Sequence, residues 1–192
     1  MKIKIYKPRF WQKKKSLFSL FLLPLSFFFQ LLVILSKNLK KKKKFTIPVI
    51  CVGNIYIGGT GKTPLVLKIY DLLKKSKKKP AIIKKEYVNL YDEINLIKFY
   101  KKEIFTNKSR PRAIRTAIKT GFNSLVLDDG FQDHSIHKDI NILCFSSNQL
   151  IGNGLTIPAG PLRESFNRIT NAQIIVINGK RDINFERKIR KV

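Results

Sequence analysis

The sequence predicts an α/β fold, a mostly parallel sheet with helices on both faces, preceded by an N-terminal membrane-associating helix. Three observations predict it. Short β-rich runs alternate with helical stretches between residues 45 and 178. A glycine-rich turn directly follows the first of those runs and directly precedes a helix. An uncharged stretch, SLFSLFLLPLSFFFQLLVIL, stands ahead of all of it at residues 16–35.

Composition narrows the class. A chain of 192 residues fits one domain with an appendage, and it is long enough to bury a core. Its 44% hydrophobic content excludes global disorder. Two cysteines without short-spaced Cys or His neighbours exclude a disulfide scaffold and a zinc ribbon. The net charge of +27 invites a nucleic-acid reading, but 30 of the 39 basic residues are Lys and only nine are Arg. Nucleic-acid readers lean on Arg for bidentate contacts. The charge therefore reads as a lysine bias over a solvated surface, with no specific nucleic-acid partner. The runs at residues 13–15 and 40–44 are the exception, because they flank the uncharged stretch and suit an anionic membrane surface.

The elements follow in order. Residues 16–35 are just long enough to cross a bilayer as a helix. Pro24 kinks such a helix, and Ser16, Ser19, Ser26 and Gln30 dilute it. Lysines at both ends give no orientation. A kinked helix lying in or dipping into the membrane fits these features; a buried core helix is the alternative. Residues 45–52 (FTIPVICV) read as a strand, 63–75 as an amphipathic helix and 81–83 as a short apolar run. Residues 110–120 read as a helix ending at Gly121, and 124–127, 140–145 and 174–177 as strands. About fourteen mostly charged residues follow Asn178, enough for one helix. The organisation is a membrane-associating head at 1–44, a core at 45–178 and a stub at 179–192.

The strongest motif is Gly58-Gly59-Thr60-Gly61-Lys62-Thr63, a P-loop in its required strand–turn–helix context. Backbone N–H groups of such a turn cradle phosphate oxygens. Lys62 supplies a point charge for the terminal phosphates, and the Thr63 hydroxyl reaches Mg²⁺. The eight-residue motif starts at Tyr56 where a glycine is usual, so the predicted nucleotide-binding set is Tyr56, Ile57, Gly58, Gly59, Thr60, Gly61, Lys62 and Thr63. This makes the predicted fold P-loop NTPase-like. Asp128-Asp129-Gly130 ends an apolar strand about 65 residues on, where P-loop proteins hold Mg²⁺; alone, Asp-Gly after a strand is equally an ordinary turn. Tyr91-Asp92-Glu93 taken alone reads as a solvated loop, although a phosphoryl transfer to a hydroxyl wants a carboxylate base. Residues 152–164 hold two glycine turns, two prolines and Arg163, which either binds a phosphate or pairs locally. His134 and His137 suit ordinary loop positions better than metal ligation. Cys51 and Cys144 read as packing residues in buried strands.

Taken in order, Phe10-Trp11, Leu23-Pro24-Leu25-Ser26, Pro48-Val49-Ile50, Val52-Gly53-Asn54, the glycine loop through Pro64, Asp128-Asp129-Gly130-Phe131-Gln132, Gly152-Asn153-Gly154 and Pro158-Ala159-Gly160-Pro161-Leu162-Arg163-Glu164 resemble the tetraacyldisaccharide 4'-kinase family, the lipid A kinases of Gram-negative bacteria. The resemblance implies ATP- and Mg²⁺-dependent transfer of the γ-phosphate to the 4'-hydroxyl of a lipid-linked disaccharide 1-phosphate, forming the lipid IVA precursor of lipopolysaccharide. It implies Asp92 as catalytic base, with Lys62 and Asp129 also catalytic, and Thr63, Glu93 and Asp128 around Mg²⁺. It implies a place on the cytoplasmic face of the bacterial inner membrane. One position and one segment depart from the family pattern: Asp133 stands where His is usual, and Lys84-Lys85-Glu86-Tyr87-Val88 stands where Ser-Arg-Gly-Tyr-Gly is usual. The family also carries a second α/β domain, which makes a separate C-terminal fragment an expected partner. Nucleotide binding at the membrane without kinase turnover is the alternative expectation.

Overall fold

Alternation along the strands divides the core into two layers. In the computed structural model, which describes residues 7–13, 15–38, 41–86 and 91–192, six strands form one sheet. They are β1 (Val49–Gly53), β2 (Pro80–Lys85), β3 (Ile104–Asn107), β4 (Ser124–Asp128), β5 (Ile140–Ser146) and β6 (Ile174–Asn178). Their order is β3-β2-β4-β1-β5-β6, and every neighbouring pair is parallel. Successive side chains on a strand point to opposite faces. Val49, Cys51, Ala81, Ile83, Leu125, Leu127, Leu143 and Phe145 therefore share one face. It packs on Ala113, Ile114 and Ala117 of α5 (Arg110–Lys119) and on Phe185 of α6 (Ile183–Arg190). Val52, Ile82, Val126 and Ile142 take the other face. There they meet Val66, Ile69 and Tyr70 of α3 (Lys62–Lys75) and Ile97 of α4 (Tyr91–Phe99). A parallel sheet covered on both faces is the predicted α/β class.

Two elements escape the sequence reading. β3 is a four-residue edge strand with no buried residue, so it shows no continuous apolar run. The stretch beginning at Tyr91 is a helix rather than a loop, anchored by Ile97 at 0% exposure. β1 also begins four residues later than predicted, because Pro48 has no N–H to give to a ladder.

The N-terminal stretch folds as two helices, α1 (Leu17–Phe21) and α2 (Leu23–Asn38), broken at Leu22. Pro24 explains the break: it lacks an N–H and its ring crowds the carbonyl four residues back, but a helix tolerates it in its first turn. The 16 residues of α2 do not reach a bilayer's width, and among the described residues no helix is long and apolar enough to cross a membrane. The polarity of this head is inverted. Ser19 of α1 and Ser26 of α2 are both buried against the core, while Leu17, Phe18, Phe21, Phe27, Phe28 and Leu35 are more than half exposed. The serines that dilute the apolar stretch are its docking face. Ser26 Oγ donates to Thr156 O at 2.9 Å and accepts from Ala159 N at 2.9 Å, and Asn153 Nδ2 donates to Ser19 Oγ at 3.1 Å.

Leu127 touches the α5 layer and is fully buried. Leu127→Ala is expected to lower unfolding free energy by about 2–5 kcal/mol in a urea titration, with circular dichroism of the folded state unchanged.

Candidate active site

Register brings the chemistry to one end of the sheet. Val52 of β1 lies beside Asp128 of β4, and Asp128 lies beside Lys84 of β2. The glycine loop leaves β1 at that same end, where ligands of open parallel sheets bind. A cavity of about 330 Å³ opens there. Residues 58–64 line it together with Lys84, Lys85, Arg110, Asp128, Asp129 and Arg163.

The loop's shape is held by side chains from three directions. Gly61 caps α3 with φ 80°, and a Cβ there would fall 1.7 Å from Asn178 Nδ2, so a side chain would be strained and would displace Asn178. Asn54 Nδ2 donates to Gly58 O at 3.1 Å and to Thr60 Oγ1 at 3.0 Å. The Cys144 thiol donates to Thr60 O at 2.9 Å. Cys144 is therefore more than packing. Cys51, fully buried, has its thiol pushed up to about 11 by that burial and is inert.

The Asp128–Asp129 turn is the electrostatic centre. Asp129 has φ 55°, which turns its carboxylate out of the strand and into the cavity. Arg163 Nη1 reaches its Oδ2 at 3.2 Å and Lys62 Nζ its Oδ1 at 3.5 Å. Arg110, buried at the start of α5, donates from Nη2 to Asp129 O at 2.7 Å and from Nη1 to Asp133 Oδ2 at 3.1 Å. Burial alone raises the Asp129 carboxyl, but Lys62, Arg163 and Arg110 outweigh it and hold the group below the usual carboxylate range. Asp128 is buried, and its Oδ2 is ion-paired with Lys84, itself buried.

The predicted residues fall into three groups. Gly58, Gly59, Thr60, Gly61, Lys62, Thr63, Asp128 and Asp129 meet around the cavity. Tyr56 and Ile57 do not line it. Ile57 N donates to Pro161 O and Arg163 N to Ile55 O, and this pairing turns Tyr56 into the core at 0% exposure, with its hydroxyl accepting from Gln12. Asp92 and Glu93 are the second and third residues of α4, and their side chains lie outside the described residues. Lys84, Lys85, Arg110 and Asn54 are the site residues that sequence reasoning missed. Only a strand register would have put Lys84 beside Asp128. Among the described residues no group of three or more His, Cys, Asp or Glu side chains is placed to hold a metal ion. Burial, with Lys138, Lys37 and Arg168, pushes the His134 imidazole down to about 4, so it is neutral near pH 7.

With that geometry in place, comparison with known proteins is specific. The sequence model described as tetraacyldisaccharide-1-P 4'-kinase, LpxK, matches residues 18–98 and 91–191. The chain belongs to the tetraacyldisaccharide 4'-kinase family. The tetraacyldisaccharide 4'-kinase of Pelagibacter ubique (strain HTCC1062) is 42% identical over 196 residues, covering 99% of this chain and 61% of that protein. That of Wigglesworthia glossinidia brevipalpis is 32% identical over 189 residues, covering 86% of this chain and 52% of that protein. Among solved structures, the "apo" form of LpxK from Aquifex aeolicus in complex with ATP superposes with a TM-score of 0.68 at 26% identity. That match covers 83% of this chain and 58% of that one. The chain thus spans between half and two thirds of the length of these relatives.

The depressed Asp129 carboxyl makes acid stability a test of the cage. A carboxylate whose folded pKa is lowered stabilises the fold above its unfolded value, near 3.9, and that contribution disappears as pH falls through the folded pKa. Stability measured by urea denaturation is expected to fall below about pH 4, and Asp129→Asn to fall less steeply over the same window.

Proposed function

We propose that this chain binds ATP in the glycine-loop cavity and transfers its γ-phosphate to the 4'-hydroxyl of a tetraacyl disaccharide 1-phosphate, giving lipid IVA. One observation carries the reading most: five cationic side chains, Lys62, Lys84, Lys85, Arg110 and Arg163, line a single cavity with a P-loop turn. Such a wall suits a triphosphate and the charge that spreads over a transferring phosphoryl group. Family membership and the ATP complex of the Aquifex relative support the same substrate class.

In this reading the residues divide the work. Backbone N–H groups of residues 58–63 hold the phosphates, and Lys62 and Arg163 meet the charge on the terminal phosphate. Asp92 takes the proton of the 4'-hydroxyl as the new P–O bond forms and the bond to the β-phosphate oxygen breaks, releasing ADP. Asp129 holds Lys62 and Arg163 in place until the nucleotide arrives. Mg²⁺, which neutralises phosphate charge in such transfers, fits here only in part. Thr63 offers a hydroxyl on the cavity wall and Glu93 belongs to the proposed donor set, but Lys84 already engages Asp128.

The head supplies the second half of the reading. Its outward apolar side chains and flanking lysines suit peripheral attachment to an anionic bilayer, on the cytoplasmic face of the inner membrane, where an acylated acceptor resides. A second reading, nucleotide binding without turnover, draws on the partial exposure of Asp129 and Arg163, 32% and 30%, since water weakens charge stabilisation.

Incubation with ATP, Mg²⁺ and the tetraacyl disaccharide 1-phosphate in detergent should yield a product one phosphate heavier by mass spectrometry. Lys62→Ala should lower that rate by at least about 100-fold. ATP binding that depends on Lys62, with no product, selects the second reading. Separately, Phe28→Asp combined with Leu35→Asp should abolish co-sedimentation with phosphatidylglycerol vesicles while leaving the circular dichroism spectrum unchanged.

A further inference from the structure

Lys84 does more than add one charge to the cationic wall. It is the fifth residue of β2, in register with Asp128 on the neighbouring strand, and only 2% exposed. Its ammonium is ion-paired with Asp128 Oδ2, which is equally buried. Neither charge is tolerated at that depth without an opposite one. The pair sits in the wall of the same cavity that the glycine loop lines.

An acid at the end of this strand is where P-loop proteins hold a divalent cation, directly or through water. An ammonium and a divalent cation cannot share that carboxylate cheaply. They repel one another at a few ångströms in a poorly screened site, and the ammonium already holds Oδ2. The ammonium has a standing advantage, because it is tethered by a buried strand and pays no entropy to arrive. The lining as a whole points the same way. Its five cationic side chains face two carboxylates, so the wall already carries the positive charge that a metal would bring to a triphosphate.

We propose that Lys84 is the resident cation of this site: it occupies the Asp128 position in place of a divalent ion, and a nucleoside triphosphate binds here without needing a metal. The part that concerns nucleotide rests on the reading above. The part that concerns Asp128 stands on the ion pair alone.

The test separates the two. Nucleotide-free full chain is titrated with Mn²⁺, and free Mn²⁺ is followed by electron paramagnetic resonance. The wild-type chain is expected to leave Mn²⁺ free, Lys84→Ser to take up one Mn²⁺ per chain, and Lys84→Ser with Asp128→Asn to lose it again. Equal uptake by the wild-type chain and Lys84→Ser, at any level, overturns the proposal. If Lys84→Ser fails to fold, the comparison of wild type with Asp128→Asn decides: uptake by the wild type that disappears in Asp128→Asn overturns it, and equal absence of uptake supports it. In the second arm, binding of a fluorescent ATP analogue is compared in EDTA and in Mn²⁺. A wild-type change of less than about threefold is expected, and a loss of about tenfold or more in EDTA overturns the metal-independent binding. Failure of the analogue to bind under either condition refutes the nucleotide reading instead, while the Mn²⁺ titration still decides the role of Lys84.

Discussion

The charge cluster around Asp129 ties together the segments on which this site depends. One carboxylate at the end of β4 is contacted by Lys62 from the glycine loop and by Arg163 from the loop after β5, and Arg110 of α5 holds the backbone carbonyl beside it. These residues are far apart in sequence and belong to separate elements. Three cations converging on so small a volume would repel one another without the anion, and the anion would be costly to bury without them. Each partner therefore makes the others affordable. The positive φ of Asp129 points that carboxylate into the cavity.

The same loop connects the site to the head. Residues 152–163 are gripped at one end by Ser19, Ser26 and Trp11, whose Nε1 donates to Pro158 O at 3.0 Å. At the other end they deliver Arg163 to Asp129. Tyr56 lies between, with Gln12 on its hydroxyl and Leu162 paired to its backbone. The surface read as facing lipid and the surface read as facing phosphate are thus two ends of one short, well-bonded piece of chain. The inverted head makes this work. Its polar residues are spent on the core, which leaves its apolar residues outward.

Much of this was legible in the residues. The glycine loop, the Asp128–Asp129 turn and five of the six strands are contiguous strings, and a contiguous string carries its geometry in its own order. β3 and α4 were not legible, because an unburied edge strand and a helix with one deeply buried anchor leave almost no periodic signal. The eight-residue motif puts Tyr56 at the nucleotide, but pairing of residues 55–57 with residues 161–163 turns it inward.

By itself, the sequence determined the fold class, the phosphate-binding turn and the presence of an apolar head with basic flanks. These depend on local order: period, glycine placement and runs of charge. Tertiary structure alone decided which side of the head faces out and that Asn54, Cys144 and Asn178 brace the glycine loop. It also decided that Arg110 holds the acidic turn and that Lys84 sits on Asp128. Those facts depend on strand register and on loops meeting across tens of residues. No spacing along the chain encodes such meetings, because they arise only when the sheet assembles.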